Sequence, residues 1–489
     1  MSIFGLEVSY PVVILGGLAV LLMVIVYRRM TRPKDADKKF AQDMLMGMVQ
    51  QVLREQDMVA SRGHEPIVVR LAPQLPIREG EPPRSWLGGG PAMPESIAWP
   101  EINSRHANFL AQICCADLPA ELWDGLGPRE GWLAFFIHSQ DCQMQVLHVR
   151  ELGPMRPGPV PDGKDSWFKP ASGLGYAKLP HAAQRAFPHW PVDLVTVTPG
   201  GPDPRKTGGP EPLHEIYRTG YDLASPEHRP FDWPSTLAML DIAEARVTKK
   251  RDSIVSGTLE VQLASARKAL ADAEQASEPP TNLAILQNKA RDLPILIEAV
   301  ASAGAMLRIA ASRLEDITAT AQDRSAHVAF SEHEIAPIMD SLRAIEWLNI
   351  RRGTDKARGP GAEDIQSKVL PLTVHDADAT LWAHDFENLR FDWAKHAYSQ
   401  SPASLPAAVR VYYEQLWRDV AAREMAGMGH VPFNYVHQFD AGSDITLIEL
   451  PTSDLMSWMF GDVDNLVVTM KKADLAAGNF DALNVQISN

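Results

Sequence analysis

The chain has 489 residues and a formal net charge of −14, from 61 acidic and 47 basic side chains, with 45% hydrophobic content. That is enough for two or three domains, or for one large domain carrying an insertion around a sizeable core. The acidic balance, with no Lys/Arg cluster beyond the N-terminal flank, excludes a nucleic-acid-binding face, since phosphate recognition needs a basic one.

In chain order, residues 10–27 form an uninterrupted apolar run followed at once by Arg28, Arg29, Arg32 and Lys34. The run reaches the minimum of about 17 residues that a helix needs to cross the hydrocarbon core. A cleaved signal peptide carries its positive charge before the apolar stretch, whereas here only Glu7 precedes it. The pattern predicts a single-pass inner-membrane anchor with the N-terminus outside and the bulk of the chain cytoplasmic. Residues 36–60 then place Phe40, Met44, Met48, Val52 and Val59 on one face of an amphipathic helix.

Ile67 to Leu71 reads as a strand, and Pro73 to Pro100 as loop and turn. Strand character returns at Gly131 to Phe136 and at Met144 to Val149. Cys114, Cys115 and Cys142 suit a reducing compartment, lack C-x-x-C zinc spacing and read as small buried hydrophobes. From Gly153 to Pro234 frequent prolines deny a regular ladder, leaving an edge strand at Leu194 to Val197 and an exposed mobile loop at Gly200 to Pro212.

Composition changes at Ser235. Leu259, Leu263, Ala266, Leu270 and Ala273 step by four and three, and after Glu278-Pro279-Pro280, with Thr281 as N-cap, Leu283 to Leu314 keeps the same period. Two facing seams predict an antiparallel helical hairpin, each arm about 40 residues and so roughly 60 Å long, with a kink or restart at Pro294. Over 237–318 it is a candidate surface for a protein partner or self-association. Ser331 and Glu334 form an S-x-x-E capping box opening a third helix, and Arg351 to Gly361 reads as a flexible basic linker. Helices at Asp376 to Tyr398 and Leu405 to Met425 precede strands at Thr446 to Leu450 and Leu466 to Met470. The fold class is therefore α+β, a mainly antiparallel sheet body with a helical hairpin insertion and an N-terminal transmembrane helix.

Six short segments stand in order: GGGP with Met93-Pro94 and Trp99-Pro100, FLAQICCADLP (Phe109 to Pro119), GWLAFF, ELPTSD (Glu449 to Asp454), WMFGD (Trp458 to Asp462) and DLAAGNFDAL (Asp474 to Leu483). Their order resembles the YwqG-like family, a bacterial domain of unknown function, over roughly 65–150 and 425–489. The resemblance implies an α+β body on antiparallel sheet and a bacterial origin, but no reaction. It divides the chain into an anchor at 1–35, a first half-body at 36–234, a helical insertion at 235–350 and a second half-body at 351–489. Gly429-His430-Val431-Pro432 stands where the family has Gly-Tyr-Pro.

No G-x-S-x-G, H-E-x-x-H, Walker A or G-x-G-x-x-G motif occurs, and no cofactor is implied. Gln112, in an apolar strand, suits pairing of buried backbone groups, and Asp462 after Gly461 suits a turn. Two functions remain open. One is a non-enzymatic, membrane-anchored protein-binding or scaffold component. The other is a membrane-proximal hydrolase or small-ligand binder using a body pocket with Gln112, His437 and Asp462.

Overall fold

The computed structural model contains two compact units, Met1–His64 and Glu65–Asn489. It describes residues 2–3, 6–7, 67–158, 167–169, 187–197, 215–216, 218–254, 257–278, 280–424 and 426–488. In the first unit these form one short ribbon, Ser2–Ile3 against Leu6–Glu7. The predicted membrane segment at 10–27 with Arg28, Arg29 and Arg32, the helix at 36–60 and the loop at 200–212 lie outside the described residues.

The second unit is α+β. Besides a two-residue ribbon of Glu101–Ile102 against Arg105–His106, its strands are β1 (Val68–Pro73), β2 (Trp86–Leu87), β3 (Asn108–Cys114), β4 (Trp132–Ile137), β5 (Met144–Val149), β6 (Trp190–Val197), β7 (Tyr221–Asp222), β8 (Glu346–Thr354), β9 (Glu363–Pro371), β10 (Val374–His375), β11 (Gly427–Gly429), β12 (Asp444–Pro451), β13 (Asn465–Lys471) and β14 (Leu483–Ile487). Its helices are α1 (Trp233–Ser253), α2 (Gly257–Glu274), α3 (Leu283–His327), α4 (Glu332–Arg343), α5 (Ala383–Gln400), α6 (Ala407–Arg423) and α7 (Lys472–Ala477).

Ten strands make one antiparallel sheet in the order β14-β13-β12-β11-β1-β6-β2-β3-β4-β5, so strands from both ends of the chain share it. The sheet curls, bringing the His148 ring of β5 to 6.5 Å from Phe480, just before β14. β12 is buried at every position, its Asp444, Thr446 and Glu449 included, so the sheet is covered on both faces there. Aromatic rings from α5 and α6 fill the core against it, with Trp190 stacked on Tyr398 at 5.8 Å and edge-on to Trp417 at 5.5 Å. The indole N–H groups of Trp99, Trp132 and Trp458 donate to the carbonyls of Ala107, Arg84 and Pro451 at 2.9, 3.0 and 2.8 Å. At Gly88, φ is +62° and a Cβ would lie 2.2 Å from the Pro188 carbonyl oxygen, so the triple-glycine turn is a close-packing device.

The expected edge strand at 194–197 is longer and interior. β6 pairs with β2 through Trp190 and Pro191, then with β1 through Val192 to Val197. Pro191 therefore sits where the partner changes and its missing N–H interrupts no continuous ladder.

The insertion is an arm with its own core. The Trp233 indole donates to Val328 O at 2.7 Å, Thr318 Oγ1 to Glu244 at 2.6 Å, and Ile254 lies opposite Gly304. Residue numbers rise on one side as they fall on the other, so α1 and α2 run antiparallel to α3. The first arm is two helices, broken at Ile254, and α3 passes through Pro294 without restarting. Asn282, without a side-chain cap bond, precedes α3 in place of the expected Thr281 cap. Ser331 caps α4 as predicted, accepting from the Glu334 amide at 3.3 Å, while the Glu334 carboxylate turns to Arg324. By length and composition α3 is the one helix among the described residues that is long and apolar enough to cross a membrane, with 33% of its apolar stretch buried inside the protein.

The largest departure from the sequence reading is at 351–361. These residues belong to the ribbon of β8 and β9, which lies along α3. Arg351 and Arg352 are exposed in β8, as basic residues would be in a linker, but α3 supplies an anchor. Asp292, 3% exposed, accepts from Arg358 Nη1 and the Glu363 amide, both at 2.8 Å, and from Arg291 at 3.2 Å. Burial pushes this carboxyl up, but those donors outweigh it and hold it below its ordinary value. Asn288 donates to Pro360 O at 2.9 Å, completing the lock between the ribbon's turn and α3.

Charge-assisted bonds of this kind contribute about 1.5–3 kcal/mol each. Asp292→Ala should therefore speed hydrogen exchange of amides 352–363 at least tenfold while leaving β12 unchanged, measured by mass spectrometry. Unchanged exchange at 352–363 would show that the apolar seam alone holds the ribbon.

Candidate functional site

The densest buried chemistry lies on α5, whose sequence FENLRFDWAKHAY has apolar residues on every face. Such a helix must be buried all round, so its charges are forced inside. Glu387, Arg390, Asp392 and Lys395 are 2%, 0%, 0% and 0% exposed. They form two ion pairs at i,i+3 spacing, Glu387–Arg390 at 3.3 Å and Asp392–Lys395 at 2.8 Å.

The first pair stands at the root of the arm. Arg390 donates to the carbonyl of Arg229 at 3.0 Å, to the carbonyl of Glu227, and to Tyr413 Oη on α6 at 2.9 Å. Tyr413 in turn donates to Glu387 at 2.9 Å, and His228 Nδ1 lies 3.5 Å from the same carboxylate. Burial pushes Glu387 up, yet Arg390 and His228 outweigh it and hold the carboxyl below its usual value. A column of rings extends from here: Tyr412 edge-on to His228, His228 stacked on Tyr221, Tyr221 stacked on His375, and His384 beyond, each 4.6–5.7 Å from the next. Tyr221 and His375 are partners in the β7–β10 pair, which ties the chain entering the arm to the chain leaving it. Burial, with the neighbouring His375, lowers His384 to about 4.

The second pair fastens the ELPTSD segment. Lys395 Nζ donates to Asp454 O at 2.6 Å. Glu424, at the end of α6, accepts from Ser453 Oγ at 2.5 Å and from the Asp454 amide at 2.8 Å. Burial and then the Asp454 charge push Glu424 up to about 8, although the residue as a whole is only half-buried. Burial also lowers His396 to about 4.

The sequence-derived candidates fall elsewhere and on separate elements. Gln112, on β3, is fully buried, its side-chain oxygen accepting from Ala92 N at 2.9 Å and its nitrogen donating to Ala92 O at 3.2 Å. His437 is exposed in the loop before β12, 3.4 Å from Tyr435 Oη. Asp462 is exposed in the turn before β13, its amide donating to Asp464 at 3.1 Å. Cys114 and Cys115 are buried, and burial pushes the Cys115 thiol up to about 12. No group of three or more His, Cys, Asp or Glu suited to a metal occurs among the described residues.

Three surface clefts are also present. One of about 390 Å³ lies between Arg78, paired with Asp193, and Arg84, paired with Asp117. A second, about 510 Å³, is a trough on the arm between α2, α3 and the ribbon, and a third of about 160 Å³ separates α3 from α4. None of these three is lined by α5. Sequence reasoning passed over the four charges of α5, though a helix with no polar face that still contains E-x-x-R and D-x-x-K is a legible sign of buried pairs.

The geometry thus defines an α+β domain with a charge-braced central helix at the root of an arm. Residues 85–154, from β2 through β5, match a domain of unknown function, DUF1963. No curated protein matches the chain.

Two outcomes follow from this arrangement. Removing one partner of a buried pair costs about 3–5 kcal/mol because it strands the other charge. Arg390→Leu should lose that much in urea unfolding, while Arg390→Leu with Glu387→Leu should lose clearly less than the two single changes added together. For Glu424, a raised carboxyl favours folding fully below its unfolded value near 4.5, and that contribution is lost as pH rises through about 8. Glu424→Gln should therefore flatten the decline of melting temperature between pH 5 and 9, as scanning calorimetry will show.

Proposed function

We propose that the chain is a membrane-tethered, cytoplasm-facing bacterial protein of the YwqG-like kind, a non-enzymatic binding component that presents its helical arm to a protein partner. The observation that carries this reading is the bracing of the arm's root. Four fully buried charges on α5, two carbonyl clamps from Arg390 and the β7–β10 pair hold the arm against the body, and none of the four lines the three clefts described above. Burying such charges is costly unless every polar group is satisfied, and a held-out arm gives that rigidity a use. The arm's far half has little apolar core of its own and is stiffened by the Asp292–Arg358 lock. The tether rests on the apolar run at 10–27 and its flank Arg28, Arg29 and Arg32. The YwqG-like reading rests on the six ordered segments.

Two measurements test it. Removing residues 1–35 should move the protein from the membrane pellet to the soluble fraction. A photo-crosslinking amino acid at exposed Ile295 of the arm should give a discrete protein adduct in native membranes, while one at exposed Leu152 of the body should not. Adducts from Leu152 alone, or from neither position, would set the arm aside as the binding element.

A further inference from the structure

The α3 helix carries two rows of regularly spaced positions. Leu296, Ala303, Leu307, Ala310 and Leu314 are buried and form the row that packs within the arm. Ile295, Glu298, Ser302, Ala305 and Ile309 step by three and four along a second row, roughly 140° around the helix from the first at 3.6 residues per turn. Four of these five are exposed, and Ala305 is half-buried. Ile295 and Ile309 keep 53% and 56% of their surface. A single exposed isoleucine needs no explanation, but two on one row do, in a helix whose apolar stretch is only 33% buried inside the protein.

The outer row is close to self-complementary. Midway between Ile295 and Ile309 stands Ser302, and midway between Glu298 and Arg308 stands Ala303. A second copy running antiparallel, related by a two-fold axis at that level, therefore sets Ile295 beside the second copy's Ile309 and Glu298 beside its Arg308 at the same time. Within one chain Glu298 and Arg308 are about 15 Å apart along the helix, too far to pair with each other. A parallel copy would place Glu298 against Glu298 and Arg308 against Arg308, and like charges oppose it. At the crossing point Ala301, Ser302 and Ala305 are small, which lets two helices approach closely.

We infer that the arm pairs with a second copy of this chain, α3 against α3, antiparallel and crossing at Ser302. The pairing deepens the reading of the arm as a binding element, on which it rests, by naming the partner. The contact is short, so it gains from any tether that concentrates the chains on one surface.

The test treats intact cells making the full-length protein with a short, permeant bismaleimide and reads covalent dimer on a denaturing gel. Cys114 and Cys115 are buried and Cys142 is half-buried, so the unsubstituted chain supplies the background. Ser302→Cys should give at least tenfold more dimer than Ile295→Cys or Ile309→Cys alone, whose copies stand roughly 20 Å apart in the antiparallel pair. Chains with Ile295→Cys made together with chains with Ile309→Cys should cross-link as well as Ser302→Cys. Glu298→Arg should cut the Ser302→Cys dimer at least fivefold, and adding Arg308→Glu should restore it. Both charged residues are exposed, so these variants leave the fold intact. Equal dimer from all three single cysteines, or dimer indifferent to the charge changes, overturns the pairing. If Ser302→Cys gives no dimer while the photo-crosslinker at Ile295 captures a different protein, the arm remains a binding element and this pairing falls. If neither dimer nor adduct forms, both readings fall.

Discussion

Taking a charge out of water costs several kcal/mol, and one helix here does so four times. The α5 helix packs its first half, through Ala383, Phe386 and Leu389, into the arm's core and its second half, through Phe391, Ala394 and Tyr398, into the body's core. It therefore belongs to both cores at once, and its charges sit where the two meet. Each pairs with a neighbour three residues away, and Glu387, Arg390 and Lys395 also bond groups from another segment: carbonyls of Glu227 and Arg229, the hydroxyl of Tyr413, the carbonyl of Asp454. These bonds are directional in a way that apolar packing is not, so they fix how arm and body are registered.

The same logic recurs at the arm's far end on a smaller scale. Beyond Leu307 the apolar core has given out, and α2 offers α3 only a narrow seam of leucine and alanine. A two-stranded ribbon has no stability of its own there. Asp292 supplies a buried anion to which both the ribbon's turn and the start of its second strand are drawn, so that polar bonds replace the missing core.

Much of this was readable along the chain. The heptad stepping of Leu259, Leu263, Ala266, Leu270 and Ala273 marks the face that meets α3, and those side chains, with Ala269, are the ones that are buried or half-buried. Ser331 declared its helix start, and the apolar strands at the chain's end declared the sheet. Two features were misread because local composition pointed the wrong way. Charged, glycine-flanked 351–361 looks like a linker until Asp292, some sixty residues earlier, is placed beside it. Proline-rich surroundings hid β6, whose one proline falls where its pairing partner changes.

What the sequence determined by itself is periodicity and its consequences: which stretches are helix or strand, which faces are apolar, and that α5 has no face suited to water. Those follow from spacing of 3.6 and 2 residues, which any isolated segment carries. What only the tertiary structure decided is partnership. Arg390 meets the carbonyls of 227 and 229, Glu424 meets Ser453, and Asp292 takes up the neighbouring charges. The cost of a buried charge depends on groups brought within about 4 Å from distant parts of the chain, and no local pattern records that distance.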